Sequence, residues 1–220
     1  MASPRDMDDE VGEAISAFKS GRPVMIYDSD YREMETDLLW HAAAATPEVI
    51  RRLRNDCGGL LFLAIGDEIG EMFGLPWLQD IHSHKTLVEE NPVLGHLVTN
   101  DLQYDSRSAF TLSLNHRETY TGITDRDRSL TTRRFGELSG ELLEKGENGA
   151  GAKERLGKEF RTPGHIPVCR ESPGGLKTRQ GHTELAVSIA RLAGLTACTI
   201  GAEMLEPEAV SYTHLTLPTT

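Results

Sequence analysis

Two Gly-His pairs and one acidic segment contain the residue types in this chain that could support catalysis. The pairs are Gly164-His165 and Gly181-His182, and the acidic segment, 28–37, holds five acids and one arginine. Carboxylate oxygens are hard ligands that suit Mg²⁺, and a histidine can supply a nitrogen ligand or exchange a proton near neutral pH. Together these residues predict a site for a divalent cation and a polar substrate.

The acidic segment follows a short apolar run, 24–27, which predicts a buried strand. Loops at strand ends are where α/β proteins build their sites, so this position favours a functional role. Glu33 and Asp37 lie four residues apart, and Arg32 can pair with either of them. A solvated turn held by ion pairs is the alternative explanation of the same residues.

A second polar stretch, 115–128, follows a predicted half-buried strand at 108–114. It places hydroxyl side chains and arginines around one glycine, Gly122. Such a stretch can bind a phosphate or a polyol through backbone N–H groups and side-chain donors. An ordinary loop is the alternative here.

The third candidate region combines 160–165 with 179–184, and each Gly-His pair there has an arginine nearby. His182 and Thr183 begin a predicted helix whose positive end disfavours an imidazolium, so we expect a neutral His182 that can bind a metal. Arg179 directly precedes that helix and could hold an anion together with free N–H groups of the first turn. A purely structural histidine at the helix start is the alternative.

Four other histidines are expected to have no catalytic role. His82 and His84 bracket one serine, but they have no acidic or cysteine partner beside them and therefore predict exposed polar side chains. We expect His41 and His96 to contribute to packing.

Composition limits the classes of function. A length of 220 residues suits one domain, and a net charge of -11 argues against general nucleic-acid binding, which needs a basic face. Three cysteines without CxxC spacing predict buried thiols in a reducing cytoplasm. The acidic start does not resemble a signal peptide, and the longest apolar run, 60–65, is too short to span a membrane.

The order of predicted elements indicates an α/β (α+β) fold, a single-domain mixed sheet with flanking helices. Apolar periodicity, a Thr46-Pro47 helix start and glycine stops define most elements. The predicted helices are 11–18, 47–53, 128–138 and 183–192, the predicted strands are 24–27, 60–65, 108–114, 166–169 and 196–200, and 140–153 is predicted to be an exposed loop insertion.

The three regions together resemble 3,4-dihydroxy-2-butanone 4-phosphate synthase of riboflavin biosynthesis, in its stand-alone archaeal-like form. The resemblance runs in consistent order from about Val11 to Leu205. It rests on the segments YDSDYREMETD, LNHRETYTGITDRDRSLT, FRTPGHIPVCR and RQGHTE, followed by Glu203-Met204. Each segment is specific in combination with the others.

The resemblance implies a lyase that converts D-ribulose 5-phosphate into L-3,4-dihydroxy-2-butanone 4-phosphate and formate, using Mg²⁺ or Mn²⁺ and no organic cofactor. It implies metal ligation by Glu33 and His182, and acid–base roles for His165 and Glu203. It also implies a homodimer with shared active sites, and the acidic start and short apolar runs lead us to expect a cytoplasmic protein. The implied substrate contacts are Arg32, Glu33, Asp37, Thr121, Arg161, Arg179, Gln180, Gly181, His182, Thr183 and Glu203.

Three features depart from the family pattern. Phe62 stands where related sequences often have a cysteine, and Met34 stands where many have Asn or Gly. The last residues, 210–220, resemble a translated sequencing adaptor, so we expect a synthase-like domain at 1–209 and a non-native tail after it. A truncated inactive fragment, or a non-catalytic module that binds nucleotides or RNA, is therefore the alternative to an active lyase.

Overall fold

The computed structural model describes residues 4–98, 101–103 and 105–205. A six-stranded mixed sheet with the order β1-β2-β6-β3-β5-β4 lies at its centre. The strands are β1 (Val24–Tyr27), β2 (Thr36–His41), β3 (Gly58–Ile65), β4 (Phe110–His116), β5 (Phe160–Arg170) and β6 (Cys198–Met204). The predicted non-native tail, 210–220, lies outside the described residues.

Helices flank this sheet, and several begin where the sequence provides a cap. The Thr46 side chain accepts a hydrogen bond from the Val49 N–H, and the Thr124 side chain accepts one from the Asp127 N–H. The helices are α1 (Pro4–Lys19), α2 (Pro47–Asp56), α3 (Asp67–Phe73), α4 (Leu78–His82), α5 (Lys85–Glu90), α6 (Val93–Leu97), α7 (Asp125–Glu144), α8 (Gly149–Glu159) and α9 (His182–Leu192).

The sheet has helices packed against both faces. Successive residues of β2 point to opposite faces, and Arg52 of α2 lies over Trp40 while Phe18 of α1 contacts His41. Helix α7 packs beside α2, and α9 packs beside α1. Thr199 of β6 donates to the Ala186 carbonyl of α9 at 3.0 Å, so α9 crosses the sheet next to β6. The architecture confirms the predicted mixed sheet with flanking helices.

One prediction about secondary structure was wrong, and strand β2 was not predicted. The segment 140–153, predicted as a loop, contains the end of α7 and the start of α8. Leu142 and Ala152 are fully buried there, and Arg155 pairs with Glu141 across the two helices. Strand β2 was missed because all six of its residues are buried, so it has no alternation of polar and apolar residues to recognise.

The predictions for single residues had mixed outcomes. The three cysteines are free and buried, and His41 is buried with its Nε2 atom 3.0 Å from the Thr196 carbonyl. His96 is exposed on α6, so its predicted packing role was wrong. No helix among the described residues has both the length and the apolar character needed to cross a bilayer.

Candidate active site

Strands β2 and β6 bring two acids together at one end of the sheet. They are antiparallel neighbours, and Asp37 is paired in register with Glu203. Asp37 is only 1 % exposed, and neither of its carboxylate oxygens accepts a hydrogen bond from the described residues. The Glu203 Oε2 atom accepts from the Leu60 N–H at 3.1 Å, which fixes that carboxylate over the end of β3. A buried carboxylate without hydrogen bonds is costly and indicates a place for a ligand.

The acidic loop between β1 and β2 is organised around Asp28. Its carboxylate accepts hydrogen bonds from the Glu33 N–H at 2.8 Å and the Glu35 N–H at 3.1 Å. Between these two residues, Met34 has a φ of 55°, in the left-handed region that favours Gly and Asn. Asn or Gly would adopt this backbone conformation with less strain than Met34 does.

Helix α9 delivers His182 to this loop. The His182 Nδ1 atom lies 3.4 Å from the Glu33 Oε2 atom, and its Nε2 atom lies 3.1 Å from the Glu35 carbonyl oxygen. The Nε2 atom is also 3.7 Å from Asp37 Oδ1. The structure therefore brings three sequence-predicted site residues, Glu33, Asp37 and His182, into one cluster, with Glu203 beside them.

The carboxylates around His182 favour its imidazolium form, opposite to the neutral ring expected from the helix N-terminus alone. Burial and the helix N-terminus disfavour the imidazolium, but the hydrogen bond with Glu33 and the charge of Asp37 together raise the pKa of His182 to about 9. Burial and the nearby carboxylates of Glu203 and Glu35 raise the pKa of Asp37 to about 7, against the attraction of His182. The carboxylates outweigh the helix dipole because they are full charges at short range.

The donor set fits a divalent cation. Asp28, Glu33 and His182 each offer a ligand atom, and these atoms lie within 4.8 Å of one another. Two carboxylates and one imidazole suit a metal that keeps several water ligands, such as Mg²⁺ or Mn²⁺. The buried, unsatisfied Asp37 carboxylate next to them is a second reason to expect a polar ligand here. Asp28 is an additional candidate ligand, which was not among the ligands predicted from the sequence.

The two arginines of the site are joined by Asp105. Its Oδ2 atom lies 2.8 Å from a terminal guanidinium nitrogen of Arg32 and 2.8 Å from one of Arg179. Arg179 also contacts Glu184, which is fully buried. Arg179 therefore pairs with two carboxylates of its own chain, whereas its position before the helix predicted that it could hold an anionic ligand. Glu184 belongs to the RQGHTE segment, whereas Asp105 lies in none of the recognised segments.

Three further residues of the RQGHTE segment surround the start of α9. Gly181 is the N-cap residue, Thr183 is buried in the first turn, and Gln180 is exposed. A Cβ atom at Gly181 would collide with the Arg179 guanidinium, so a glycine lets that side chain fold against the helix start. Gln180 and Gly181 thus connect Arg179 to His182, and Thr183 follows His182 in the first turn of α9.

His165 lies on the other side of β3 from this cluster. It is exposed on β5, which is two strands from β6, so its backbone is about 10 Å from that of the β6 strand. The Asn115 amide holds it, since Asn115 Oδ1 accepts from the His165 N–H at 2.8 Å and Asn115 Nδ2 lies 3.1 Å from the His165 Nδ1 atom. Gly164 packs against the backbone of Leu114 with no room for a Cβ atom.

Thr121 and Arg161 lie near this second group. Three backbone N–H groups, of Tyr120, Thr121 and Gly122, point at the Asp127 carboxylate, the shortest distance being 2.8 Å from Gly122. Arg161 reaches the Thr119 hydroxyl at 3.3 Å. The described contacts join neither Thr121 nor Arg161 to the Glu33–His182 cluster, so the candidate residues form two groups on this chain.

The chain matches the family model of 3,4-dihydroxy-2-butanone 4-phosphate synthase over residues 12–217. It is 39 % identical over 196 residues to the synthase of that name from Methanothermobacter thermautotrophicus, covering 89 % of this chain and 81 % of that one. It is 40 % identical over 203 residues to the synthase from Methanosarcina acetivorans, covering 91 % of this chain and 79 % of that one.

Solved structures agree with these sequence matches. A cation-free 3,4-dihydroxy-2-butanone 4-phosphate synthase superposes with a TM-score of 0.64 at 26 % identity, covering 91 % of this chain and 80 % of that one. A synthase in complex with two magnesium ions gives a TM-score of 0.64 at 25 % identity, with coverage of 91 % and 81 %. The fold, the ordered motifs and the family model agree, and the chain belongs to the 3,4-dihydroxy-2-butanone 4-phosphate synthase family.

Proposed function

We propose that this chain is a lyase of riboflavin biosynthesis that converts D-ribulose 5-phosphate into L-3,4-dihydroxy-2-butanone 4-phosphate and formate in the cytoplasm. The observation that carries the proposal is the cluster of Glu33, Asp37 and His182 at the end of β2 and β6, in a chain of this family. Burial of the three free cysteines is consistent with a reducing compartment.

Glu33 and His182 are the proposed ligands of Mg²⁺ or Mn²⁺. The Glu33 side chain is 36 % exposed and can reach a ligand in the open part of the site, while the Asp28 side chain is fully buried and shapes the loop. A relative solved with two magnesium ions supports a divalent cation. A cation bound there would act as a Lewis acid, polarising the carbonyl and hydroxyl oxygens of the sugar.

Proton transfer is assigned to His165 and Glu203. Forming an enediol requires a base that removes the proton at C3, and losing the C1 hydroxyl as water requires an acid. Asn115 orients the His165 ring through Nδ1, which directs the Nε2 atom to proton exchange. The Leu60 N–H fixes one oxygen of Glu203, so the carboxylate is held in place beside Asp37.

The remaining family residues are proposed to bind and orient the substrate. They include charged side chains that match polar sugar oxygens and a phosphate, and small residues that allow close approach of the backbone at α9. The proposed substrate contacts are Arg32, Glu33, Asp37, Thr121, Arg161, Arg179, Gln180, Gly181, His182, Thr183 and Glu203.

A homodimer with shared sites would unite the two groups of residues. His165 and Arg161 are exposed on β5, and Tyr120, 93 % exposed, lies in the adjacent loop, so this surface is available to a second copy. Glu33→Gln and His165→Gln variants test the proposal, since each is expected to be inactive alone. If Glu33 and His165 of one site come from different chains, a mixed dimer has one intact site, and mixing restores activity. No recovery on mixing, or a monomer by light scattering, would reject sharing.

Formate release from D-ribulose 5-phosphate tests the function itself. With Mg²⁺ we expect formate that EDTA abolishes, and His165→Ala should retain no more than a few per cent of the turnover. Absence of formate with retained binding of ribulose 5-phosphate would indicate a chain that binds the substrate but does not turn it over. Absence of both would favour a non-catalytic binding module.

A further inference from the structure

Asp105 occupies a position between two arginines that come from distant parts of the chain. Its Oδ1 and Oδ2 atoms lie 3.3 and 2.8 Å from the two terminal nitrogens of Arg32, a bidentate pair, and Oδ2 is also 2.8 Å from Arg179. Partners of Asp105 are 73 and 74 residues away in sequence. The contact is therefore a product of the fold and not of a local turn.

The sharing of one oxygen by two guanidinium groups has an electrostatic consequence. Two cations this close repel each other unless an anion lies between them, and bidentate Arg–carboxylate pairs fix direction as well as charge. The two hydrogen bonds from the arginines hold the pKa of Asp105 below its ordinary value, against the effect of burial. Asp105 is thus an anion at neutral pH, and it holds both guanidinium groups in one place.

Arg179 is fixed from its other side as well. Glu184 is fully buried and contacts the second terminal nitrogen of Arg179, and its Oε1 atom accepts from the Ser172 N–H at 2.9 Å. Glu184 lies in the first turn of α9, two residues after His182. The line from Asp105 through Arg179 and Glu184 therefore ends beside the Glu33–His182 cluster.

A cavity of about 330 Å³ opens next to this line. Asp105, Arg179, Ser172 and Thr178 contribute to its wall, which is mostly polar. Arg107 also lines it and stacks on Trp77 with its guanidinium carbon 3.9 Å from the ring centroid. A cavity with polar walls and a fixed arginine suits a small polar molecule such as a sugar phosphate.

We propose that Asp105 is a positioning residue: it sets Arg32 and Arg179 side by side in the orientation in which they contact the substrate. The proposal rests on the proposed function, because it takes both arginines as substrate contacts. Asp105 acts through them and does not touch the reacting atoms. Since these arginines bind the substrate before and during the reaction, loss of Asp105 weakens binding and leaves the chemical step largely intact.

The test compares Asp105→Asn, Asp105→Glu and a control variant, Asp80→Asn. Asp80 pairs with Arg107 at 3.4 Å with an exposed side chain, so the control removes a carboxylate near the same cavity without touching Arg32 or Arg179. For Asp105→Asn we expect the KM for D-ribulose 5-phosphate to rise about tenfold and kcat to fall less than about threefold. Asp105→Glu restores the carboxylate, so its KM should return most of the way to that of the unchanged protein. The control should change neither kcat nor KM more than about twofold.

Several outcomes would overturn the positioning role. An unchanged KM in Asp105→Asn would do so, and so would a lower KM, which would mean that Asp105 competes with the substrate for the arginines. If Asp105→Asn and Asp105→Glu lower kcat and raise KM to the same extent, and both lower the melting temperature, the role of Asp105 is purely structural.

A failure of the proposed function can be recognised separately. Formate release by the unchanged protein tests the function, and only the variants test Asp105. If the unchanged protein releases no formate, calorimetric binding of D-ribulose 5-phosphate replaces the KM. Binding about tenfold weaker in Asp105→Asn would support the positioning role, and equal binding, or no binding by the unchanged protein, would overturn it.

Discussion

Replacing Asp37 by Asn should stabilise the metal-free protein and remove its activity. Asp37 is 1 % exposed, and among the described residues neither of its oxygens accepts a hydrogen bond. Burial and the carboxylates of Glu203 and Glu35 raise its pKa to about 7, from an ordinary value of 3.8, even though His182 lies nearby. An ionised Asp37 is therefore unfavourable in the folded chain, and an asparagine of the same shape carries no charge.

The sign and size of the effect follow from proton linkage. The folded pKa of this acid lies above the unfolded value, so between pH 3.8 and about 7 the folded chain keeps a proton that the unfolded chain has released. The contribution of Asp37 to the free energy of unfolding consequently falls as pH rises through that window and is constant above it. Each pH unit contributes about 1.4 kcal/mol, so across roughly three units ionised Asp37 costs about 4 kcal/mol above pH 7.

Urea denaturation in EDTA at pH 5, 6, 7 and 8 measures this cost. The gain in unfolding free energy of Asp37→Asn over the unchanged protein should grow by about 1.4 kcal/mol per unit from pH 5 to 7 and then level off. Asp56→Asn is the matched control, because Asp56 is 43 % exposed and pairs only with Arg52 in the described structure. Its change should stay below about 1 kcal/mol.

The same variant should lose at least about a hundredfold in formate release, as expected for a group that contacts the substrate. A variant that is no more stable at pH 8 than the unchanged protein would refute the reasoning. A gain that does not vary with pH would do the same, because it would have to come from packing and not from ionisation.

Three further predictions concern the second group of residues and the end of the chain. Asp127→Asn should loosen the loop at 120–122 and cost about 1–3 kcal/mol in urea denaturation, since its carboxylate accepts from three backbone N–H groups; equal stability would contradict this. Gly164→Ala should lower the melting temperature by several degrees, because its Cβ meets the backbone of Leu114, whereas Gly157→Ala, with open space around it, should not. If the tail is non-native, deleting 210–220 should leave activity unchanged and shift the melting temperature by no more than about 2 °C. A loss of activity or a larger fall in melting temperature would give the tail a role.

Local signals in the sequence were sufficient for elements that local interactions define. Helix α2 was predicted from Thr46 and Pro47 because a cap and an N1 proline act within one turn. Helix α9 was predicted from apolar periodicity and ends just before Gly194, which has a φ of 70°. Strand β2 could not be found in this way. It pairs with β1 nearby as well as with β6 about 160 residues away, but all six of its residues are buried, and Asp37 in the strand looks like part of the acidic loop.

The motifs located Glu33, Asp37 and His182 because each lies in a segment with unusual composition. Asp105 was missed because it has no such neighbours, and its importance comes from partners on two other segments. The effect of the carboxylates on His182 could not be anticipated for a related reason. The helix start is visible in the sequence, but the carboxylates that surround the imidazole meet it only in the fold.

The site concentrates negative charge that the rest of the fold must stabilise. Glu35, like Asp37, has its pKa raised, to about 6, chiefly by burial and then by the charge of Glu203, so two acids here ionise against a penalty. Such an arrangement is unfavourable for folding but favourable for binding a positive ligand, because the ligand removes repulsion that already exists. Burial of apolar side chains on both faces of the sheet supplies the free energy that offsets this repulsion. Stability and function are thus opposed at Asp37, and a substitution there should separate them.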